Sequence, residues 1–456
     1  MKSSFLLHLS LLTISAGLLV GLSACGGDPP HGVADRAFVN NPIRYVVVIF
    51  QENRTPDNLF HDPILIARGA DIARSGLNSR GETVPMGELG LDDAYDPIHS
   101  HQAFLDMYDG GRMDGADKIP AFCRNCTPVA DPQFRYVKRS QVRPYFAMAE
   151  QYTFGDRMFQ TNQGPSFPAH QFIISGTSAP SAHSKLFAEG NPQGPSAAKV
   201  GCLAPAGMHI ELIAPSGKEI RTEDICFEHP VLSDLLEAQG ISWRYYAPSQ
   251  GWMWTAPNAI RHICQPEMQD GQLNCTGNSW NNVVIPQTQV LLDIAQNQLA
   301  QVSWVIPDGK ASDHPPGDGS GPSWVASIVN AIGNSPYWAH TAIFITWDDW
   351  GGWYDHVPPK IINSYEYGFR VPLIVVSPYA KRGYISHVTH DFGSILKYIE
   401  ELYGLKSLGY ADALADDLSD CFDLNQTPTK FHTIAAPLDA KHFLEDRRPA
   451  TDPDDD

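Results

Sequence analysis

The chain has 456 residues, of which 43% are hydrophobic and 18% are charged, so it can bury a large core and is not globally disordered. Its 32 lysines and arginines against 51 aspartates and glutamates give a formal net charge of -19 at pH 7. An acidic surface repels a phosphate backbone, so the composition argues against nucleic acid as a partner. It does not exclude a phosphate ester in a pocket where a bound cation reverses the local field.

The N-terminus has the pattern of an export signal. A lysine precedes an apolar stretch over residues 5–20, and a Leu-Ser-Ala-Cys sequence ends at Cys25. This resembles a bacterial lipoprotein signal, in which residues 1–24 are removed, Cys25 is lipidated and residues 25–41 form a tether. We therefore expect a protein exported to the periplasm and anchored by lipid at the outer membrane. The alternatives are full secretion, through an ordinary cleaved signal, and an uncleaved anchor helix.

The pattern of the remaining chain predicts alternating strands and helices. Short apolar runs rich in β-branched residues predict buried strands at residues 43–50, 242–246, 302–306, 341–347 and 371–377. Helical spacing of apolar residues predicts helices at residues 167–175, 231–239 and 392–403, the last with Asp391 as N-cap and Gly404 as its end. This alternation predicts an α/β fold with a mostly parallel central sheet and helices on both faces.

The polar, Gly- and Pro-rich segments predict long insertions rather than separate domains. They cover residues 62–135 and 180–225, within a single domain over residues 42–440. Residues 441–456 form an acidic tail that we expect to be disordered. Export permits disulfides, and short separations favour pairing of Cys202 with Cys226 and of Cys264 with Cys275.

Acidic and amide side chains follow two of the predicted strands directly. Glu52 and Asn53 come after the first strand, and Asp348 and Asp349 come after the strand at 341–347. Ligands of open α/β sheets bind at the carboxyl ends of strands, and four hard oxygen donors suit a divalent cation. Each pair alone also fits an ordinary turn or helix cap, but two pairs at two strand ends favour one divalent metal ion.

Ser166 is the candidate nucleophile. It follows a Gly164-Pro165 turn and precedes a predicted helix, where free backbone N–H groups favour an anion. A hydroxyl group that faces a metal ion there can attack phosphorus. The alternative role of Ser166 is that of a simple N-cap residue, which is more frequent at such positions.

Three histidines in polar loops complete the candidate site. They are His99, His314 in an Asp-His-Pro-Pro sequence, and His356 shortly after the Asp348-Asp349 pair. If these loops converge, the imidazoles can bind phosphate oxygens or protonate a leaving group. The alternative is that each histidine is exposed to solvent.

The ordered set of motifs resembles a known family. The motifs are Glu52-Asn53-Arg54, Gly164-Pro165-Ser166, Asp313-His314-Pro315-Pro316 and the segment from Trp347-Asp348-Asp349 to His356-Val357. They resemble the phosphoesterase family that contains bacterial and plant phospholipases C and an acid phosphatase branch, and the likeness covers about residues 42–407. The resemblance implies an alkaline-phosphatase-like three-layer fold. It also implies a metal ion held by Glu52, Asn53, Asp348 and Asp349, with Ser166 as the attacking group.

The resemblance also guides the expected substrate. Phospholipase C members typically have threonine at the nucleophile position, so Ser166 favours an acid-phosphatase-like phosphomonoesterase that acts through a phosphoseryl intermediate. We expect Asn162 and His170 to bind substrate, although Ala169 replaces an asparagine frequent in the family. A phospholipase C that acts on phosphatidylcholine and a non-catalytic, lipid-anchored binding protein are the alternatives. A sulfatase is disfavoured because His170 stands where its modification motif requires arginine.

Overall fold

An eight-stranded sheet forms the centre of the molecule. The computed structural model describes residues 41–123, 127–194 and 199–451. In chain order the sheet strands are β1 (Tyr45–Gln51), β2 (Thr153–Gly155), β3 (Trp243–Tyr246), β4 (Val283–Val284), β5 (Val302–Val305), β6 (Thr341–Trp347), β7 (Leu373–Val376) and β8 (Tyr384–Ser386). Their spatial order is β4-β3-β5-β1-β6-β7-β2-β8. Only β7 runs antiparallel to its two neighbours, so the predicted α/β fold with a mostly parallel sheet is confirmed.

All five predicted strands are present in this sheet. The strand at 341–347 has the predicted bounds, and the other four differ by one or two residues at their ends. The sequence did not indicate β2, β4 and β8, which have only two or three residues each. Strands this short carry no visible periodicity, because side-chain alternation needs about four residues to become a pattern.

Ten α-helices connect and cover the strands. They are α1 (Pro56–Leu59), α2 (Pro63–Ala67), α3 (His101–Tyr108), α4 (Arg143–Gln151), α5 (Ser166–Ser175), α6 (Leu232–Ala238), α7 (Gln289–Ala295), α8 (Gly321–Gly333), α9 (Phe392–Tyr403) and α10 (Ala440–Glu445), counted over the described residues. The predicted ends of α9 are confirmed: the Asp391 carboxylate accepts a hydrogen bond from the Ser394 N–H, and Gly404 has φ 64°. A left-handed residue ends the helix at low cost when it is glycine.

The helices form two layers, one on each face of the sheet. Alternate side chains of β6 point to opposite faces: Phe344 packs on Tyr398 of α9, and Trp347 packs on Tyr145 of α4, each pair with ring centroids 5.1 Å apart. Helices α5 and α6 lie on the α9 side, and α7, α8 and α10 lie on the α4 side. The three-layer arrangement is therefore built from the alternation of buried residues within the central strands.

Small sheets lie outside the central sheet, some of them in the predicted insertions over residues 62–135 and 180–225 and others elsewhere in the chain. Antiparallel pairs join Ser75–Leu77 with Thr83–Pro85, Tyr95–Pro97 with Ala121–Cys123, and Gln265–Gln269 with Gln272–Thr276, while parallel pairs join Gly87–Leu89 with Arg135–Val137 and Met158–Phe159 with His390–Asp391. A three-stranded sheet contains Phe187–Ala188, Ile210–Ile213 and Glu219–Thr222. Phe104 and Phe134 of the first insertion pack with Trp350 and Phe369 in a second apolar cluster, which fixes this insertion over the carboxyl end of β6.

The expectation of a disordered tail over residues 441–456 is wrong for its described part. Helix α10 lies there, and its Phe443 packs on Trp324 with ring centroids 5.3 Å apart. The Lys310 ammonium also donates a hydrogen bond to the carbonyl of Pro449 at 2.7 Å. A buried aromatic side chain and this hydrogen bond outweigh the acidic composition that suggested disorder.

Both expected disulfides are present, namely Cys202–Cys226 and Cys264–Cys275. The predicted signal over residues 1–24, Cys25 and the tether up to residue 40 lie outside the described residues. Within the described part of the chain, no helix has the length and apolar composition needed to cross a bilayer.

Candidate active site

Backbone hydrogen bonds join the loops that follow β1 and β6. The two strands are parallel neighbours, with Gln51 in register with Trp347. The Asn53 N–H donates to the Asp348 carboxylate at 3.0 Å, and the Arg54 N–H donates to the Asp349 carbonyl at 3.0 Å. The two predicted carboxylate-bearing loops therefore lie together at one edge of the sheet.

This loop contact depends on a glycine. Gly351 has φ 62°, and a Cβ atom added there would lie 2.4 Å from the Asn53 carbonyl oxygen. Any other residue would push the two loops apart, because its side chain would overlap this backbone atom. Gly351 also donates its N–H to the Asp349 carboxylate at 2.7 Å, which fixes that side chain.

Ser166 is the first residue of α5, and its hydroxyl faces Asp349. The N-cap residue is Pro165, whose side chain accepts no hydrogen bond, and the Phe167 N–H of the first turn donates to the Asn191 amide oxygen at 2.9 Å. The Ser166 hydroxyl instead donates to Oδ2 of Asp349 at 3.2 Å, and neither side chain has any exposed surface. The structure therefore does not support a simple capping role and aligns the hydroxyl with a carboxylate.

Glu52, Asp348 and His170 form a buried group of possible metal ligands. One ligand atom from each lies within 4.8 Å of the others. His170 Nε2 is 3.4 Å from Glu52 Oε2 and 3.7 Å from Asp348 Oδ2. Burial lowers the pKa of His170 to about 4, and the negative charge of Asp348 only partly opposes this. The neutral imidazole that results is the form that binds metal ions.

The residues of this group fit a divalent cation. Oδ2 of Asp348 is buried without a hydrogen-bond partner, and a buried, unpaired carboxylate oxygen is strongly destabilising unless a positive charge compensates it. Two carboxylates and a neutral imidazole are a suitable donor set for such an ion. The group shares Glu52 and Asp348 with the predicted set but contains His170, which we expected to bind substrate. Asn53 and Asp349, the other two members of the predicted set, lie next to this group and make the hydrogen bonds described above.

His99 and His314 both border this site. The His99 Nδ1 bonds the Pro97 carbonyl at 3.1 Å, so its Nε2 can accept from the Asn53 amide at 3.2 Å; this Nε2 is also 3.8 Å from Asp349 Oδ2. The ring centroids of His99 and His314 are 6.1 Å apart. The His314 Nδ1 bonds the Pro315 carbonyl at 2.5 Å, and its buried Nε2 has no hydrogen-bond partner. This Nε2 is therefore available to a substrate.

His356 lies in a different group of residues. Its ring nitrogens contact Asp57 at 2.7 Å and Asp71 at 3.0 Å, and Arg370 pairs with Asp57 and Asp355. Burial alone would lower the pKa of His356, but its hydrogen bond to Asp57 and the charge of Asp57 raise it to about 9. This placement does not support the expected catalytic role of His356, because both ring nitrogens are engaged by carboxylates outside the Ser166 site.

Asn162 contacts the nucleophile loop itself. Its side-chain amide donates to the Gly164 carbonyl at 3.0 Å, and the Gln160 amide donates to the same oxygen at 3.1 Å. These two bonds fix the turn that precedes Ser166. A role in shaping the loop is therefore visible for Asn162, while substrate binding stays a prediction.

Two features of the site were not predicted from the sequence, and only the first left a signal there. His170 lies four residues after Ser166 on α5, so both side chains point to the same helix face; this spacing was the signal available for grouping them. Asp313 accepts hydrogen bonds from Tyr145 and Trp347, each at 2.9 Å, and its carbonyl accepts from Arg54. These bonds hold the loop of His314, and no sequence spacing predicts them.

Comparison with known proteins identifies the family. The Phosphoesterase family profile matches residues 43–406, and the chain belongs to this family. Hemolytic phospholipase C of Pseudomonas aeruginosa is 24% identical over 446 residues, a match that covers 84% of this chain but only 56% of that protein. The chain thus spans little more than half of this relative's length. Non-specific phospholipase C1 of Arabidopsis thaliana is 29% identical over 439 residues, which covers 86% of this chain and 73% of that protein.

Solved structures also resemble the chain. A protein in the alkaline phosphatase superfamily from Vibrio parahaemolyticus aligns with a TM-score of 0.34 and 10% identity, over 81% of this chain and 70% of that one. The family profile defines the class of protein, and the carboxylates of Asp348 and Asp349 beside the buried Ser166 agree with it. The chain is a member of the Phosphoesterase family.

Proposed function

We propose that the protein hydrolyses phosphate esters with Ser166 as the nucleophile. The observation that carries this proposal is the hydrogen bond from the Ser166 hydroxyl to Asp349, next to the group formed by Glu52, His170 and Asp348. A nucleophile aligned with a proton acceptor beside a cation site is the arrangement that phosphoryl transfer to serine requires.

In the first step, Ser166 Oγ attacks phosphorus while its proton passes to the Asp349 carboxylate. The bond from phosphorus to the ester oxygen breaks, and a protonated His314 donates its Nε2 proton to the departing alcohol. In the second step, water attacks the phosphoserine and passes a proton to the neutral His314, while the bond from phosphorus to Ser166 Oγ breaks. Asp349 returns its proton to Ser166, and inorganic phosphate leaves. A divalent cation held by Glu52, His170 and Asp348 would supply positive charge that offsets the negative charge of the phosphoryl oxygens.

A phosphomonoester is the favoured substrate. Serine at the nucleophile position is typical of the acid phosphatase branch, and the nucleophile and its surrounding side chains have no exposed surface. A buried nucleophile favours a compact phosphoryl group over a large diester. The names of the curated relatives favour the second candidate, a phospholipase C that cleaves phosphatidylcholine.

A substrate panel tests the activity and separates the candidates. The panel contains p-nitrophenyl phosphate, p-nitrophenyl phosphorylcholine and phosphatidylcholine, each with and without a chelator. Faster turnover of the monoester supports the phosphatase assignment, whereas turnover of the two choline diesters alone supports the phospholipase. Ser166→Ala should remove all turnover and retain bound metal. Absence of metal-dependent hydrolysis of every ester would instead favour a non-catalytic binding protein.

We also propose export and lipid attachment at Cys25, with the protein held at the periplasmic side of the outer membrane. The Leu-Ser-Ala-Cys sequence supports this proposal, and two disulfides are compatible with an oxidising compartment. Mass spectrometry of the mature N-terminus tests it. A lipid-modified Cys25 that is lost in Cys25→Ser is the expected result, and an unmodified N-terminus in the culture medium would indicate secretion.

A further inference from the structure

Two exposed aliphatic side chains line one groove, and a third is their neighbour in the chain. Leu414 exposes 79% of its surface, Ile362 49% and the adjacent Ile361 37%. Leu414 and Ile362 line the same two neighbouring cavities, which also share Tyr367, and the larger cavity has a volume of about 860 Å³. Aliphatic groups grouped in this way are costly to leave in water and commonly mark an interaction site.

Positive charge surrounds these side chains. Lys360 and Lys185 line the cavities, and neither has an ion-pair partner among the residues that the structure describes. Both lysines lie on a protein whose formal net charge is -19. Lysines without a carboxylate partner favour a negatively charged binding partner.

The other charged groups of the groove form ion pairs or hydrogen bonds with residues of the protein itself. Arg157 forms an ion pair with Asp71, and His387 contacts Asp156 at 2.9 Å. The two acidic groups are Asp416, which His390 contacts at 2.8 Å, and Glu366, which accepts a hydrogen bond from the Asn363 amide. Lys360 and Lys185 are therefore the cations of this groove that have no ion-pair partner among the residues that the structure describes.

The groove borders the loop that carries the nucleophile. Thr161, in the segment that leads to Ser166, lines the smaller cavity. Gln163 donates its amide to the Asn363 carbonyl at 3.5 Å, and a Cβ on Gly164 would lie 2.2 Å from the Tyr365 hydroxyl. The segment that displays Ile361 and Ile362 thus packs directly on the turn before Ser166.

We propose that this groove is a docking surface for an anionic phospholipid bilayer. The aliphatic side chains of Leu414, Ile361 and Ile362 enter the headgroup region, and Lys360 and Lys185 pair with lipid phosphates. Docking would bring phosphate esters carried by the bilayer to the loop before Ser166. This inference goes beyond the proposed function and does not require it, because binding needs no catalysis.

Vesicle flotation tests the proposal. The protein is made as residues 26–456, which keep every described residue and remove any contribution of the signal or of Cys25, and it carries Ser166→Ala so that no lipid is hydrolysed. We expect binding to phosphatidylcholine vesicles that contain phosphatidylglycerol and weaker binding to pure phosphatidylcholine. Lys360→Glu should lower the partition coefficient about fivefold or more at low salt, since one cation near an anionic surface contributes about that much. Leu414→Ser with Ile362→Ser should lower it at any salt concentration.

Matched variants on other surfaces distinguish docking from a general loss of charge or apolar area. Met268→Ser removes another exposed apolar side chain, and Lys441→Glu changes another exposed lysine, so both should bind as the parent does. Equal binding by the groove variants and these controls would overturn the proposal. So would a result in which the groove variants lose self-association on gel filtration and never bind vesicles, because a second copy would then be the occupant.

With Ser166 restored, hydrolysis of p-nitrophenyl phosphate should be equal in all variants, and its absence would count against the proposed function alone.

Discussion

Ser166 Oγ lies 3.2 Å from Asp349 Oδ2, although 183 positions separate the two residues in the chain. The contact joins the start of α5 to the loop after β6, and both side chains are fully buried. A buried carboxylate that accepts the serine proton increases the nucleophilicity of the hydroxyl. The catalytic hypothesis therefore depends on this one pair.

Replacing Asp349 by asparagine tests the pair directly. Asp349→Asn keeps the shape of the side chain but removes the proton acceptor, so we expect kcat for p-nitrophenyl phosphate to fall about 100-fold or more. Asp318→Asn, a change at a surface loop that pairs with Arg448, is the matched control and should keep full activity. Near-normal kcat in Asp349→Asn would show that the carboxylate is not the acceptor.

His170 should determine metal affinity rather than substrate affinity. We expect His170→Gln to weaken metal binding at least about tenfold, because one of three ligands is lost. The measurement is titration of chelator-treated protein with Zn²⁺, Mn²⁺, Mg²⁺ and Ca²⁺, followed by calorimetry. The exposed His183 provides the control, as His183→Gln should bind like the parent. An unchanged affinity together with a raised KM would instead support the substrate-binding role predicted from the sequence.

The proposed role of His314 predicts a dependence on the leaving group. p-Nitrophenolate leaves without protonation, whereas a simple alkyl alcohol requires a proton donor. We therefore expect His314→Gln to lower kcat about 100-fold for an alkyl phosphate and only slightly for p-nitrophenyl phosphate. Equal losses on both substrates would indicate that His314 acts by binding phosphate.

The buried Asp57–Arg370 ion pair should be important for stability. Burial alone would raise the pKa of Asp57, but Arg370 and His356 lower it to about 2 from the ordinary 3.8. The contribution of the ionised Asp57 carboxylate to the free energy of unfolding is thus complete above pH 3.8, and it is lost as the pH falls through 2. We expect Asp57→Asn to lower the free energy of unfolding at pH 7 by about 3 kcal/mol, because a charge on Arg370 loses one of its partners. Urea unfolding measures this loss, and the control is Asp270→Asn, a change at an exposed turn residue.

The raised pKa of His356 predicts that the protein loses stability at alkaline pH. Its folded-state pKa of about 9 lies above the ordinary 6.5, so its contribution is complete below pH 6.5 and is lost as the pH rises through 9. Urea unfolding of His356→Gln should therefore show a smaller decrease in stability between pH 7 and 9 than the parent. The exposed His432→Gln should retain the parent's decrease. His262, whose hydrogen bond to Asp234 raises its pKa to about 9, adds a separate contribution over the same range.

Much of the central sheet was predictable because it is determined by local composition. The apolar runs of β1 and β6 are buried along nearly their whole length, and such runs are typical of strands covered on both faces. The short strands β2 and β8 pair in the same sheet but depend on partners more than 200 residues away, so their own residues carry no signal. The same reason explains α10, whose acidic segment is ordered by its contact with Trp324.

The sequence by itself determined the fold class, the family and the residue types available for the site. These follow from periodicity and from motifs, which are local properties of the chain. Tertiary structure decided which of these residues meet: it placed His170 with Glu52 and Asp348, paired Ser166 with Asp349, and assigned His356 to the ion pairs of Asp57 and Arg370. The physical reason is that distances between loops are set by strand order and by the packing of helices on the sheet, and neither is encoded in the spacing of residues within one segment.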